Sequence, residues 1–415
     1  MNALDLEKHY FTALTLQMRL SAMDETADII IIGGGVMGTS TALHLAEQGV
    51  GEVLLLEKSS LGAGSSGKSG AILRQHYSHE VSVRMARTSL QFYENFQARY
   101  DREIGFCQPG MLFIANEAQR EALERNVELQ RSLGVDTQIL DAAALRAAEP
   151  HARFADDALG AWEPEAAYVN PVKTVHGLAA AAQEAGATIR TGIGAAEVLR
   201  DGGAVRGVRT DGDTKIRADV VVNTAGPWAG QILDQLGLDY PLQVVRPEQA
   251  FFEPPADVEE RPTMYADLLN GVYWKPEQSD WVRVGKLAFD DDEEVTNPDH
   301  YDEGVSNDFV SFAHSALTDR LPTFEHAVSW GGCGALYTVT PDSHPLVGAV
   351  PEVEGLYLAS GFSGHGFKLA PAVGRGLTGL ITETDPAPFD PDFLAVDRLR
   401  HDRPVTVPYS YSILG

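Results

Sequence analysis

Three scarcities frame this chain of 415 residues. Cysteine is the first: Cys107 and Cys333 are the only two, too few for a disulfide framework or a zinc site. That usage fits a reducing compartment. Residues 1–26 show neither the apolar segment nor the small-residue cleavage site of a secretory leader, so a cytoplasmic location is expected. Long apolar runs are the second scarcity: none approaches the roughly 18 residues of a membrane span. Positive charge is the third. Against 59 acids stand 32 basic residues, only eight of them lysine, and the net charge is −27. Such a surface repels phosphates, which argues against nucleic acid as a partner. An anionic ligand must then be met by locally concentrated cations, so each Arg or Lys beside a Gly-rich turn carries weight.

What is present reads as a two-domain globular protein. The chain is too long for one compact core, and its 44% apolar and 22% charged content is ordinary. Residues 28–32 (Asp-Ile-Ile-Ile-Ile) have the continuous β-branched pattern of a parallel strand buried on both faces. A Gly-rich turn, a helix over 38–48 and a second apolar strand at 53–56 complete a βαβ unit. A Gly/Ser-rich loop fills 59–70, and a long helix is predicted over 79–100. Residues 105–115 suggest a hairpin, 195–217 a β-meander, and 220–222 another buried strand. Residues 240–330, rich in aromatics, prolines and acids, read as a separate substrate region. From 356 the strand, Gly-turn and helix pattern returns. The expected division is an N-terminal arm at 1–26, a discontinuous nucleotide domain at 27–100, 160–240 and 331–390, a cap at 101–159 and 241–330, and a tail at 391–415.

Gly33-Gly34-Gly35-Val36-Met37-Gly38 fits G-x-G-x-x-G between a buried strand and a helix. Gly33 allows the tight turn, Gly35 lets the backbone approach a pyrophosphate, and Gly38 lets helix and strand pack closely. The helix start offers free N–H groups to phosphate. Glu57, followed by Lys58, ends the second strand, where a carboxylate binds ribose hydroxyls. An acid there fits FAD or NAD rather than NADP. Asn223-Thr224-Ala225-Gly226-Pro227-Trp228 closes a later strand with small residues. Gly361-Phe362-Ser363-Gly364-His365-Gly366-Phe367-Lys368 opens a helix whose start is electropositive.

With the loop Gly64-Ser65-Ser66-Gly67-Lys68-Ser69-Gly70, this ordered set resembles the D-amino acid oxidase superfamily of flavoproteins, and within it the sarcosine oxidase group. The resemblance spans roughly residues 27–385 and is thin over 240–330. It implies an α/β fold: a Rossmann-like FAD domain interleaved with a mainly antiparallel sheet that roofs the flavin. It implies cofactor contacts from Gly33, Gly35, Val36, Met37, Gly38, Glu57, Lys58, Ser65, Ser66, Ser69, Gly70, Val198, Thr224, Ala225, Gly226 and Trp228. From the C-terminal turn it adds Gly361, Gly364, His365, Gly366, Phe367 and Lys368. It implies a small amine carrying a carboxylate, gripped by Arg74 and Lys368, with Tyr337 on the substrate side. Hydride would pass to flavin N5, leaving an imine for water, with oxygen or another acceptor reoxidising the cofactor. The same scaffold would serve a 2-hydroxy acid dehydrogenase, or the flavin-bearing subunit of a larger amine dehydrogenase. Self-association is left open.

Two departures matter. Where the sarcosine oxidase group attaches flavin through cysteine, this chain has Ala335, with Cys333 two places too early. Where other relatives use a histidine, it has Lys68. FAD held non-covalently is therefore expected. At the position of the lysine that activates oxygen stands Arg283, with Lys286 the substitute if the register slips. His76, His344 and His365 read as structural or as polar wall.

Overall fold

The computed structural model describes residues 25–256, 258, 263–277, 281–289 and 291–406. Its centre is a six-stranded sheet of Ile29–Ile32 (β1), Val53–Glu57 (β2), Thr188–Thr191 (β3), Val220–Asn223 (β4), Leu346–Ala349 (β5) and Leu356–Ser360 (β6). The strand order is β5-β6-β4-β1-β2-β3, with every pairing parallel except β5 with β6. The apolar run that marked β1 is accounted for by its central place: all four isoleucines are buried. Burying each such side chain contributes about 1.5–3 kcal/mol.

Helix α1 (Val36–Gln48) starts two residues earlier than its sequence pattern suggests, at the Gly-rich turn, and stops at Gly49, whose φ is +70°. It packs against α2 (Pro171–Glu184) and α3 (Ala370–Ile381). Asn170 caps α2 by accepting the Lys173 N–H, and Pro171 takes the first turn, where no N–H is needed. Gly374 lets α3 lie against α1: a Cβ there would fall 2.6 Å from Ser40 Oγ. Ser40 Oγ in turn donates to the Ala370 carbonyl at 2.9 Å. The C-terminal helix is thereby fixed against the first βαβ unit.

The second layer is an eight-stranded mixed sheet, antiparallel except where Met264–Asp267 runs parallel to Met111–Asn116. Strand alternation gives it two unlike faces. Tyr265, Trp274 and Val284 point to a core completed by Ala313, Ala316 and Leu317 of helix Asn307–Arg320. Met111, Ala266 and Tyr273 point the other way, into a cavity.

Several expectations need correction. Residues 105–115 do not form a hairpin: only Met111–Asn116 is a strand, and its antiparallel partner is the distant Ala158–Glu163. The helix over 79–100 is two helices, Glu80–Glu94 and Phe96–Tyr100, parted at Asn95. Strands Ala158–Glu163 and Val328–Gly334 run through the division points at 159/160 and 330/331. Of the arm at 1–26, only Glu25 and Thr26 are described, paired with Lys215–Arg217. The C-terminal stretch is anchored rather than trailing as far as it is described. Arg398 is buried and ion-paired to Asp342 at 2.8 Å, and it also donates to the carbonyls of His344 and Pro345.

Candidate functional site

A cavity of about 650 Å³ opens along the carboxyl ends of β1, β2 and β4, where parallel sheets bind nucleotides. Gly33 has φ +107°, and a Cβ there would fall 2.7 Å from the Thr224 carbonyl. At Gly35 the wall is so close that a Cβ would meet Ser66 Oγ at 3.0 Å. Ser66 Oγ also accepts the Val36 N–H at 3.0 Å, joining the 59–70 loop to the helix start. Glu57 accepts the Gly34 N–H at 2.7 Å and the Ser59 N–H at 2.8 Å, while its carboxylate lines the cavity. Each of its oxygens keeps capacity for a hydroxyl donor. Volume, Gly-lined wall and carboxylate fit a flavin adenine dinucleotide.

Residues 297–304 run over this cavity as a strap. Lys68 Nζ donates to Tyr301 Oη at 2.6 Å and pairs with Glu303 at 2.7 Å. Trp228 Nε1 donates to Asp299 at 3.0 Å; Lys58 also pairs with Asp299 and lies 3.9 Å from the Trp228 ring centroid. Arg246 holds the carbonyls of Asp302 at 2.6 Å and Gly304 at 2.7 Å. Two of the eight lysines are thus spent on one crossing segment.

A smaller cavity, about 100 Å³, adjoins the first, and Ser69, Tyr337, Gly364 and Phe367 line both. Its volume is of the same order as the roughly 150 Å³ of an engineered cavity that takes benzene, room for a small molecule. Arg74 and Lys368 line it together, although nearly 300 residues part them. Arg74 is buried, donates to the His76 carbonyl and lies 4.5 Å from the Tyr77 ring centroid. Lys368 is also buried; burial and the nearby Arg74 charge hold its amine well below the ordinary lysine range. Tyr337 shares a hydrogen bond with Tyr273, and burial raises both hydroxyls. Beneath them Glu163 is fully buried, accepts the Gln75 N–H at 2.7 Å, and is pushed up to about 7 by burial.

The remaining sites divide clearly. Gly33, Gly35, Val36, Met37, Glu57, Lys58, Ser65, Ser66, Ser69, Thr224, Ala225, Gly226, Trp228, Gly361, Gly364, Gly366 and Phe367 all line the large cavity. Gly38 lies behind the wall, where a Cβ would strike the Gly33 carbonyl at 1.9 Å. Gly70, His365 and Lys368 belong to the small cavity instead. His365 is held in that wall, with Nε2 2.9 Å from the Ser343 carbonyl oxygen and Nδ1 3.3 Å from Tyr77 Oη. Val198 points into the apolar core; Gly194, Ala195 and Ala196, just before it, line the cavity.

Arg283 lines neither cavity. It is tied to Glu277 at 2.5 Å, to the Lys68 carbonyl at 2.8 Å and to Gln249, which does line the large one. Lys286 is the base from that strand that reaches the small cavity. Ala335 lines the large cavity, and Cys333 does not. Among the aromatics of the neighbouring strands, Tyr273 lines the small cavity, whereas Trp274 and Tyr265 stack in the core, centroids 4.5 Å apart. Sequence reading missed Asp292, Glu163, Gln249 and the strap. Strand alternation around Trp274 could have found Tyr273 alone, whereas nothing local marks the others.

Residues 28–380 match the family described as FAD dependent oxidoreductase. Human peroxisomal sarcosine oxidase is 28% identical over 385 residues, covering 89% of this chain and 95% of that protein. The 4-methylaminobutanoate oxidase (formaldehyde-forming) of Paenarthrobacter nicotinovorans is 27% identical over 380 residues, 89% of this chain but 45% of its own length. The chain thus spans less than half of some relatives and nearly all of others. Among solved structures, L-proline dehydrogenase from P. horikoshii superposes with a TM-score of 0.83 at 26% identity, covering 92% of this chain and 99% of that one. Among the described residues no helix is long and apolar enough to cross a membrane.

Proposed function

The chain belongs to the FAD dependent oxidoreductase family, and on that footing we propose that it oxidises the C–N bond of a small amino or N-methyl amino acid. The observation that carries this reading is the meeting of Arg74 and Lys368 in a small cavity that joins the dinucleotide cavity at Tyr337 and Gly364. Among the described residues, Lys368 Nζ has no hydrogen-bond acceptor. A buried amine whose proton is disfavoured by burial and a like charge is stabilised as a cation by an anion placed beside it. Arg74 offers a planar fork and Lys368 a point charge, which together suit a carboxylate.

With the carboxylate so held, the rest of a small substrate is directed toward Tyr337 and the junction of the cavities. Met111, Ala266 and Phe289 supply apolar walls that exclude water. A flavin held by the Gly-lined wall and Glu57 would supply the hydride acceptor for the carbon next to nitrogen. The protein's own part is orientation and electrostatics. Relatives named for sarcosine, 4-methylaminobutanoate and proline support an amine substrate. Ala335 on the cavity wall, with Cys333 outside it, supports FAD held without a covalent bond.

The test is an anaerobic flavin-bleaching screen of the purified holoprotein with N-methyl amino acids, cyclic imino acids, D-amino acids and 2-hydroxy acids. Bleaching by an amino compound, lost in Arg74→Ala and Lys368→Ala, is expected. Bleaching by hydroxy acids alone would overturn the reading. Acid precipitation that carries the yellow colour down with the protein would overturn non-covalent binding.

A further inference from the structure

The small cavity holds an acid that a carboxylate grip does not explain. Asp292 lines it from the loop after strand Val282–Lys286, with its side chain 11% exposed. Asp292 Oδ2 is buried and, among the described residues, has no hydrogen-bond partner. Among the described residues, the charged and titratable groups facing Asp292 are Lys286, whose Nζ lies 3.7 Å from Oδ1, Glu248 from the neighbouring strand, the adjacent Asp291, and the Tyr337 hydroxyl. Burial pushes the Asp292 carboxyl up to about 6, with Lys286 opposing. Buried polar atoms are nearly always satisfied, and an orphan beside a cavity marks a place kept for a ligand. One pocket therefore carries Arg74 and Lys368, suited to a carboxylate, Lys286 beside Asp292 Oδ1, and in Asp292 Oδ2 an acceptor with no donor among the described residues.

We infer that Asp292 is the amine-recognition residue: Oδ2 accepts the substrate N–H while Arg74 and Lys368 hold the substrate carboxylate, and the ionised Asp292 carboxylate takes the ammonium proton. That step breaks one N–H bond and forms one O–H bond, and no electrons are transferred. It leaves on nitrogen the lone pair that hydride loss from the neighbouring carbon requires. The inference rests on the proposed amine substrate and narrows it. Primary and secondary amino acids keep an N–H when neutral and fit Asp292. Tertiary N,N-dimethyl amino acids lose theirs, and ether carboxylates never had one.

The experiment uses the holoprotein and two isosteric ligand pairs, sarcosine with methoxyacetate and L-proline with tetrahydrofuran-2-carboxylate. Binding is read from perturbation of the flavin spectrum, and anaerobic bleaching from pH 5 to pH 9. In the wild type the amino member of a pair is expected to bind at least about tenfold more tightly than its ether. Asp292→Leu, which leaves no acceptor, should erase that preference while changing ether binding less than about twofold, and should move the acid limb of bleaching. Asp292→Glu, which keeps the carboxyl, should restore the preference in part, separating recognition from damage to the loop. A wild type indifferent between pair members overturns the inference, as does an Asp292→Leu protein that retains the preference. If amino ligands bind preferentially but bleach nothing, the proposed oxidation falls and the assignment of Asp292 stands.

Discussion

The ring of Tyr273 lies over Gly285 on the neighbouring strand: a Cβ built at Gly285 falls 2.4 Å from Tyr273 Cζ. Only glycine leaves that ring its place in the small cavity wall. Gly285→Ala should displace Tyr273 and with it the hydroxyl bonded to Tyr337. Overpacking of this kind costs about 1–3 kcal/mol. The expected outcome is weaker carboxylate binding, by about tenfold or more, at unchanged FAD content. Spectral titration measures it, and full affinity with a shifted FAD content would contradict it.

Arg74 and Lys368 should be separable by pH. The Arg74 charge is one of the causes holding the Lys368 amine low. Carboxylate affinity should therefore fall as pH rises through the Lys368 range, and Arg74→Ala should move that fall to higher pH while weakening binding overall. Each charge-assisted contact contributes on the order of 1.5–3 kcal/mol, so each single variant should lose about tenfold or more. In Lys368→Met the same pH dependence should vanish. Binding that stays pH-independent in the wild type would refute the pairing.

Glu163 gives a stability test with a definite sign. Its carboxyl is raised to about 7 from an ordinary 4.5 by burial. The native form thus keeps a proton that the unfolded chain releases. Stability from this group is complete below about pH 4.5 and declines as pH rises toward 7. At about 1.4 kcal/mol per pH unit the decline is of order 3 kcal/mol. Glu163→Gln cannot ionise, so its Tm relative to wild type should climb between pH 5 and pH 7.5. A difference that is flat in pH would rule this out.

The Asp342–Arg398 pair is almost entirely enclosed, with the two side chains 2% and 1% exposed. Removing one partner leaves the other charge buried, at a cost of about 3–5 kcal/mol. Arg398→Ala should lower Tm by several degrees, and Asp342→Asn by less, because the amide still accepts hydrogen bonds. An unchanged Tm in Arg398→Ala would show the C-terminal stretch to be dispensable.

Where residues act locally, the sequence was readable. Four consecutive isoleucines have one good place in a sheet, its middle, and Gly33, Gly35 and Gly38 announce close approach because nothing larger fits. The grip of Arg74 and Lys368 was reachable only through resemblance, since no local pattern joins residues so far apart. Arg283 failed for a reason no pattern carries: Glu277, Gln249 and the Lys68 carbonyl claim its guanidinium. Val198 failed by a shift of two residues along one strand, which keeps the face but leaves the cavity. The strap and Asp292 lie in an acid-rich stretch whose composition reads as solvated surface. They became visible only when Lys58, Lys68 and the cavity walls were placed beside them.

The order of strands in the central sheet has a consequence for how the protein is made. Strand β4 lies between β1 and β6, so from the emergence of residue 223 until residues 356–360 leave the ribosome it offers a bare parallel edge. Throughout that interval the nascent chain lacks the wall that Gly361, Gly364 and Phe367 supply, and the strap has only half a cavity to cross. Completion of the dinucleotide cavity is thereby deferred until residues 361–367 have emerged. An open edge of that kind is a site for wrong pairing, and the cell must shelter it for more than a hundred residues of elongation.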